Sequence, residues 1–352
     1  MRELSRSIVD WGLANKVGGK FAPKGPQIPL TQAHEIVEQI RALSAESVEP
    51  VAKCTGLVAP GNAPKAQVVD RKEWIASNID SFAYLTAPLA DRIRERGEAG
   101  LIDEVSSRAT AFQLGAALGW MSGKVLGQYE ALVAPGKEPR LLLNAPTMLS
   151  VAGELEVDQR DFFLWVCLHE ETHRLQFSAV PWMSGYMQSE ISTLVVSSDL
   201  STSAALGQAT EVVRKLADVL RGRADMTELA KVVAGPGGAK AFDALLALMT
   251  LLEGHADVVM DAVGPEVVPT VGQIRERFNE RRTNPRLMDS VMRKAMGMDG
   301  KLKQYTEGAA FVREVIDRVG MESFNKVWES PATLPTRPEI QNPDQWVARV
   351  LG

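Results

Sequence analysis

The sequence is poor in the residues that mark several large protein classes. Its 352 residues include only two cysteines, Cys54 and Cys167. Two thiols exclude a disulfide framework and a four-cysteine zinc site, and their scarcity fits a reducing compartment. An excess of positive charge is also missing, the net charge being −5. Without a positive field to neutralise phosphates, nucleic-acid binding is not expected. No apolar run approaches the ~18 residues of a membrane-spanning helix, so no membrane segment is expected. The stretch MRELSRSIVDWGLANKVGGK lacks an apolar core followed by a small-residue cleavage site, so no secretory signal is expected. Hydrophobic residues make up 45% and charged residues 24%. That balance excludes a disordered chain and points to a cytoplasmic protein with a substantial core.

Residues 17–30 (VGGKFAPKGPQIPL) are rich in glycine and proline and carry no period, so residues 1–30 read as an arm or linker. Residues 31–352 read as one unit. Thr31 is placed to cap a helix carrying Ile36, Val37, Ile40 and Leu43, and Asp70 one carrying Trp74, Ile75, Ile79 and Phe82. A long helix is predicted from about Ile102 to Tyr129. It contains Gly115, Gly119, Gly123 and Gly127, each four apart. Because Gln113, Ser122 and Lys124 interrupt it, this stripe reads as a groove for close helix packing rather than a membrane dimerisation face. Leu141–Pro146 is a short candidate strand. Further helices are predicted at 158–178, 182–198, 205–222, 238–263, 270–282, 300–319 and 343–351, with Gly235-Pro236-Gly237-Gly238 as punctuation. The class is mostly α with a small β component.

Histidine is scarce too: His34, His169, His173 and His255 are all there are. Two of the four fall in Leu168-His169-Glu170-Glu171-Thr172-His173, an H-E-x-x-H motif. The flanking run Asp161 to Cys167, with Leu175 and Phe177 beyond, has no proline or glycine and suits a buried helix. Residues i and i+4 share a helix face with Cβ atoms about 5–6 Å apart, so two imidazoles can hold one ion. Zinc accepts histidine nitrogens and tolerates an open position, where a bound water has its pKa lowered to about 7. Glu170, adjacent to the first ligand, can take a proton from that water and pass it to a leaving amine.

A catalytic zinc needs a third protein ligand. Some eighty residues on comes Leu252-Glu253-Gly254-His255-Ala256-Asp257, after an apolar run of helical character. Glu253 and Asp257 are one turn apart and share a face. Their spacing suits a metal-binding glutamate and an aspartate that accepts a hydrogen bond from a ligand imidazole. His255 lies about 200° from Glu253 on a helix, so only one of them can face the ion. Three roles are open to His255: ligand in place of Glu253, oxyanion stabiliser, or hydrogen-bonded core residue.

An H-E-x-x-H followed by a distant helix with E-x-x-x-D resembles the gluzincin branch of the zincin metallopeptidases. More closely, the chain resembles the actinobacterial zincin-like metallopeptidase family, whose members include proteins labelled coenzyme F420 biosynthesis-associated. The resemblance is carried by Asp70-Arg71-x-x-Trp74-x-x-Asn78, Gly127-Gln128-Tyr129, Leu143-Asn144-Ala145-Pro146, His169 to His173 and Leu252 to Ala256. It continues through Val259 to Val263, Lys303-Gln304-Tyr305-x-x-Gly308-x-x-Phe311-Val312 and Phe324-Asn325-x-Val327-Trp328. It implies a zincin-like metalloprotease fold with extra helices over 31–352 and a hydrolase activity.

The sequence expectation is therefore a hydrolase with one zinc per chain, held by His169, His173 and Glu253. Glu170 is the general base, Asp257 supports a ligand, and His255 and Tyr305 are candidates to touch substrate or transition state. Arg275, Arg277, Arg281 and Arg282 are open as a carboxylate site or a solvated helix face. The end of the candidate strand, Asn144 to Pro146, is open as a peptide-pairing edge or a structural strand. Cys167, two residues before His169, turns away from the metal and reads as a core thiol. Peptide hydrolysis leads; hydrolysis of another small amide or ester, or a non-catalytic metal-stabilised scaffold, are the alternatives. The oligomeric state is not encoded in any motif.

Overall fold

The computed structural model describes residues 9–61, 65–95, 104–197, 226–283 and 299–352. Helices dominate them. In chain order come α1 (Trp11–Phe21), α2 (Leu30–Glu46), α3 (Val48–Thr55), β1 (Gln67–Val69), α4 (Arg71–Glu95), α5 (Glu104–Ser122), β2 (Gly127–Glu130) and β3 (Arg140–Asn144). Then follow α6 (Ala145–Leu155), α7 (Gln159–Ala179), α8 (Met183–Ser197), α9 (Met226–Val267), α10 (Val271–Thr283) and α11 (Asp299–Phe324), the last kinked at Gly320. Two 3₁₀ turns lead to α12 (Arg337–Gln341) and α13 (Pro343–Val350). No described helix is long and apolar enough to cross a membrane. The expected mostly α class with a small sheet is what forms. The helix expected at 205–222 lies outside the described residues.

By its contacts the chain divides into two compact units. One comprises Met1–Val51, Gly61–Arg174 and Gly264–Arg275; the other comprises Ala52–Pro60, Leu175–Val263 and Glu276–Gly352. Each unit holds an apolar cluster. In the first unit, Val9, Ala14, Trp74, Ile75, Ile79, Ala111, Leu118 and Leu142 pack together. In the second, α9 and α11 contribute Leu248, Leu251, Leu252, Phe311, Val312 and Val315 around Phe324, Trp328 and Trp346.

Residues 1–30 are not simply an arm. Asp10 Oδ1 accepts from Leu13 N at 2.9 Å and caps α1. The buried face Ala14, Val17 and Gly18 of this helix lies on the glycine stripe of α5. A Cβ on Gly115 would sit 2.9 Å from Val17 Cβ, and one on Gly119 would sit 2.7 Å from Gly18 O. The stripe is thus a packing groove, and α1 fills it. The glycines within 17–30 that suggested a linker include Gly18, where a Cβ would lie 2.7 Å from Ile75 Cγ2 of α4.

The helix predicted to Tyr129 stops at Ser122. Its terminal carbonyl is taken by side chains: Ser122 O accepts from Asn144 Nδ2 at 2.9 Å and Thr147 Oγ1 at 2.8 Å. The chain then forms β2. The three strands run in the order β1-β3-β2, with β1 parallel and β2 antiparallel to β3. The register pairs Val68 with Leu143 and Gln128 with Leu142. The Leu141-Leu142-Leu143 run is buried because β3 is central. Asn144 to Pro146 is therefore no peptide-pairing edge; β3 has neighbours on both sides, and α6 starts at Ala145.

Asp70 caps α4 as expected, in a capping box: Oδ1 accepts from Glu73 N at 2.8 Å while Glu73 Oε2 accepts from Asp70 N at 2.8 Å. Thr31 is no cap, because α2 starts one residue earlier, behind Pro29. Helix α9 runs unbroken through Gly235–Gly238, where punctuation was expected. From Ala241 onward its buried apolar residues outweigh the weak local propensity of that stretch.

Gly119→Val should overpack the α1–α5 contact and destabilise the protein by roughly 1–3 kcal/mol. Gly153→Ala is the control. A Cβ there meets nothing within 4 Å, and in α6 it should stabilise by up to about 1 kcal/mol. Denaturant midpoints of the two variants, moving in opposite directions, check this; equal midpoints would refute the packing role.

Candidate metal centre

Helix α7 forms where predicted because Asp158 Oδ1 accepts from Asp161 N at 2.9 Å at its start and no proline or glycine follows. Its residues Phe162 to Leu168 are all buried, so it is apolar all round before the motif begins. Polar groups on such a helix need partners. Thr172 Oγ1 donates to Leu168 O at 2.8 Å. Arg174 Nε donates to Glu171 Oε2 at 2.6 Å, and Nη2 pairs with the other oxygen, so both buried charges are matched.

His169 and His173 sit one turn apart with Nε2 atoms 3.1 Å from each other and rings 88° apart. Two ligands about 2.0–2.1 Å from one tetrahedral zinc lie about 3.3 Å apart. The pair therefore has ligand spacing. Among the described residues, His169, His173 and Glu253 offer ligand atoms all within 4.8 Å of one another. Two imidazole nitrogens and a carboxylate oxygen suit zinc.

Glu170 is 6% exposed. It lies about 100° round the helix from His169, on the side that meets β2. A Cβ on Gly127 would lie 2.5 Å from Glu170 Cγ and 2.9 Å from its Oε1. Gly127 thus leaves the space that the carboxylate occupies. Tyr129, the next residue on that face of the strand, has its pKa raised, chiefly by burial, with Arg174 and Glu171 acting in opposite senses. Burial also pushes the Cys167 thiol up, reinforced by Glu170 and Glu171, so it is a core thiol as expected.

On α9, Asp257 Oδ2 accepts from Arg313 Nη2 at 3.4 Å, and the same guanidinium pairs with Asp261. The acid expected beside a ligand imidazole holds a cation of α11. His255 is fully buried, its ring 5.5 Å from Phe324 and 5.4 Å from Trp328. Its Nδ1 lies 2.9 Å from Gln176 Nε2. Of its three open roles, this is the setting of a hydrogen-bonded core residue. Tyr305 falls in α11, with its side chain outside the described set, as are those of Arg281 and Arg282. Arg277 pairs with Glu280 at 3.5 Å on an exposed face.

Two site residues escaped the sequence reading. Gly127 was assigned to the stripe of α5, and its true signal is that it lies past the end of that helix. Gln176 follows His173 by three residues, a polar residue between Leu175 and Phe177.

The sequence profile of a family described as zincin-like metallopeptidase matches residues 9–347. A crystal structure of "a putative hydrolase with a novel fold" from Chloroflexus aurantiacus is similar to this chain with a TM-score of 0.70. The two are 28% identical over 97% of this chain and 98% of that one. No curated protein matches.

Purified protein is expected to hold about one zinc per chain, and His173→Ala to lose it. Elemental analysis after zinc add-back checks this; equal metal in both proteins would rule out the histidine pair as ligands.

Proposed function

The chain belongs to the zincin-like metallopeptidase family, and on that premise we propose that it is a zinc-dependent hydrolase of peptide or related amide bonds. The observation that carries the reading is Glu170: a buried carboxylate, next in sequence to His169, lodged over the bare backbone of Gly127. A metal site that served only to hold the fold together would have no use for it. His169, His173 and Glu253 would hold the ion. Zinc bound there supplies a Lewis acid for the scissile carbonyl and lowers the pKa of a water to about 7.

The chain's own residues do the rest. Glu170 takes a proton from the attacking water as its oxygen bonds to the carbonyl carbon. It then hands that proton to the leaving nitrogen as the C–N bond breaks. Burial limits the water that competes for its carboxylate, and Gly127 fixes where the carboxylate lies. Asp257 would orient a ligand imidazole while tied to Arg313. Support for an extended substrate comes from β2, an edge strand of the sheet that runs past Glu170 and carries Tyr129.

Glu170→Gln should keep zinc and lose hydrolysis by a factor on the order of 10²–10⁴. The assay is digestion of an unbiased peptide library read by mass spectrometry, followed by a panel of small amides and esters. A variant as fast as the wild type would make Glu170 structural, and a wild type inert on every substrate would favour the scaffold. Asp257→Asn should weaken zinc affinity by roughly 10–100-fold with the fold intact. Unchanged affinity in a chelator competition would remove Asp257 from the site.

A further inference from the structure

Gln176 lies on α7, three residues beyond His173, and is fully buried. Its Nε2 donates to Leu252 O at 3.0 Å and to His255 Nδ1 at 2.9 Å. Those partners flank Glu253, one residue before it and two after. The hydrogen inventory has one solution. Leu252 O can only accept, so the NH₂ end of the amide must face it. The second N–H of that group then points at Nδ1 of His255, which accepts it. Phe324 stacks on the ring and Trp328 meets it edge-on.

We infer that Gln176, with His255 behind it, is a positioning residue that fixes Glu253 as the third metal ligand. The inference rests on the three-ligand reading above. A slip of α9 by one residue would rotate Glu253 by about 100° and move it by about 1.5 Å, which removes its carboxylate from the histidine pair. Apolar packing alone resists such a slip weakly, since neighbouring aliphatic residues can exchange places. A buried amide with two specified acceptors resists it strongly, because any other register leaves donors and Nδ1 without partners in an apolar cluster. His255 therefore serves the metal centre from the core side, without touching substrate.

The experiment is zinc titration of the full chain by chelator competition, with the visible absorption of the cobalt form as a report on ligand geometry. Gln176→Leu should weaken zinc binding by roughly 10–100-fold, the scale of lost ligand support. Its cobalt bands should weaken toward those of Glu253→Ala. His255→Asn, which keeps an acceptor near the place of Nδ1, should bind zinc within about threefold of wild type on the same scale. The double variant Gln176→Leu/His255→Leu removes donors and acceptor together, so its apo form should melt like the wild type. It should nonetheless bind zinc as weakly as the single variant, which a merely structural role for the pair would not produce. Wild-type zinc affinity in Gln176→Leu, or in the double variant should the single one not fold, overturns the positioning role and leaves the three-ligand reading standing. Wild-type affinity in Glu253→Ala overturns that reading, and the positioning role with it.

Discussion

The α7 helix has to carry two imidazoles one turn apart while being buried along nearly its whole length. That combination constrains everything near it. A polar atom inside an apolar cluster costs about 1–3 kcal/mol when left without a partner, so each polar residue after Leu168 needs its own solution. Thr172 uses the helix backbone, Glu171 and Arg174 use each other, and Gln176 uses α9. The two histidines converge on a common point, with Nε2 atoms 3.1 Å apart. A cation there satisfies both lone pairs at once, which a hydrogen bond between two neutral rings cannot do.

Glycine does the complementary work of bringing backbones close. In the first unit, Gly115 and Gly119 let α1 approach α5, and Gly127 leaves the volume that Glu170 fills. In the second unit, Gly254 and Gly308 do the same for α9 and α11. A Cβ on Gly254 would lie 2.5 Å from Ala309 N. That crossing sits one residue from Glu253, so α9 is held by backbone contact on one side and by Gln176 on another. Neither device adds a functional group to the centre; both limit where the functional groups can be.

Much of the candidate site was legible before any coordinates. The spacing of His169 and His173 is a one-turn relation that any helix realises, and the absence of proline and glycine from 159–179 secured the helix. The E-x-x-x-D pattern singled out Glu253 over His255 because a helix can present only one of them, and the group formed by the described residues contains Glu253. The glycine stripe announced a close packing partner, though not which one. Local signals failed where a distant side chain decided the outcome. Helix α5 ends at Ser122 because Asn144 and Thr147 claim its carbonyl, and nothing between 104 and 130 encodes that.

The sequence by itself determined the helical class, the position of the motif helix, the candidate donor set of two imidazoles and a carboxylate, and the scarcity of thiols. Each of these depends on residue types and on spacings of one to four, which helix geometry converts directly into relative positions. Only the tertiary structure decided that residues 11–21 pack as a helix, that this helix fills the groove at Gly115 and Gly119, and that β3 is central while β2 passes Glu170. It alone also placed His255 in an aromatic wall behind Gln176. These outcomes depend on which surfaces meet across tens or hundreds of residues. A one-dimensional pattern records that a face is apolar or a residue small, but the partner that fills the space is chosen by the packing of the whole unit.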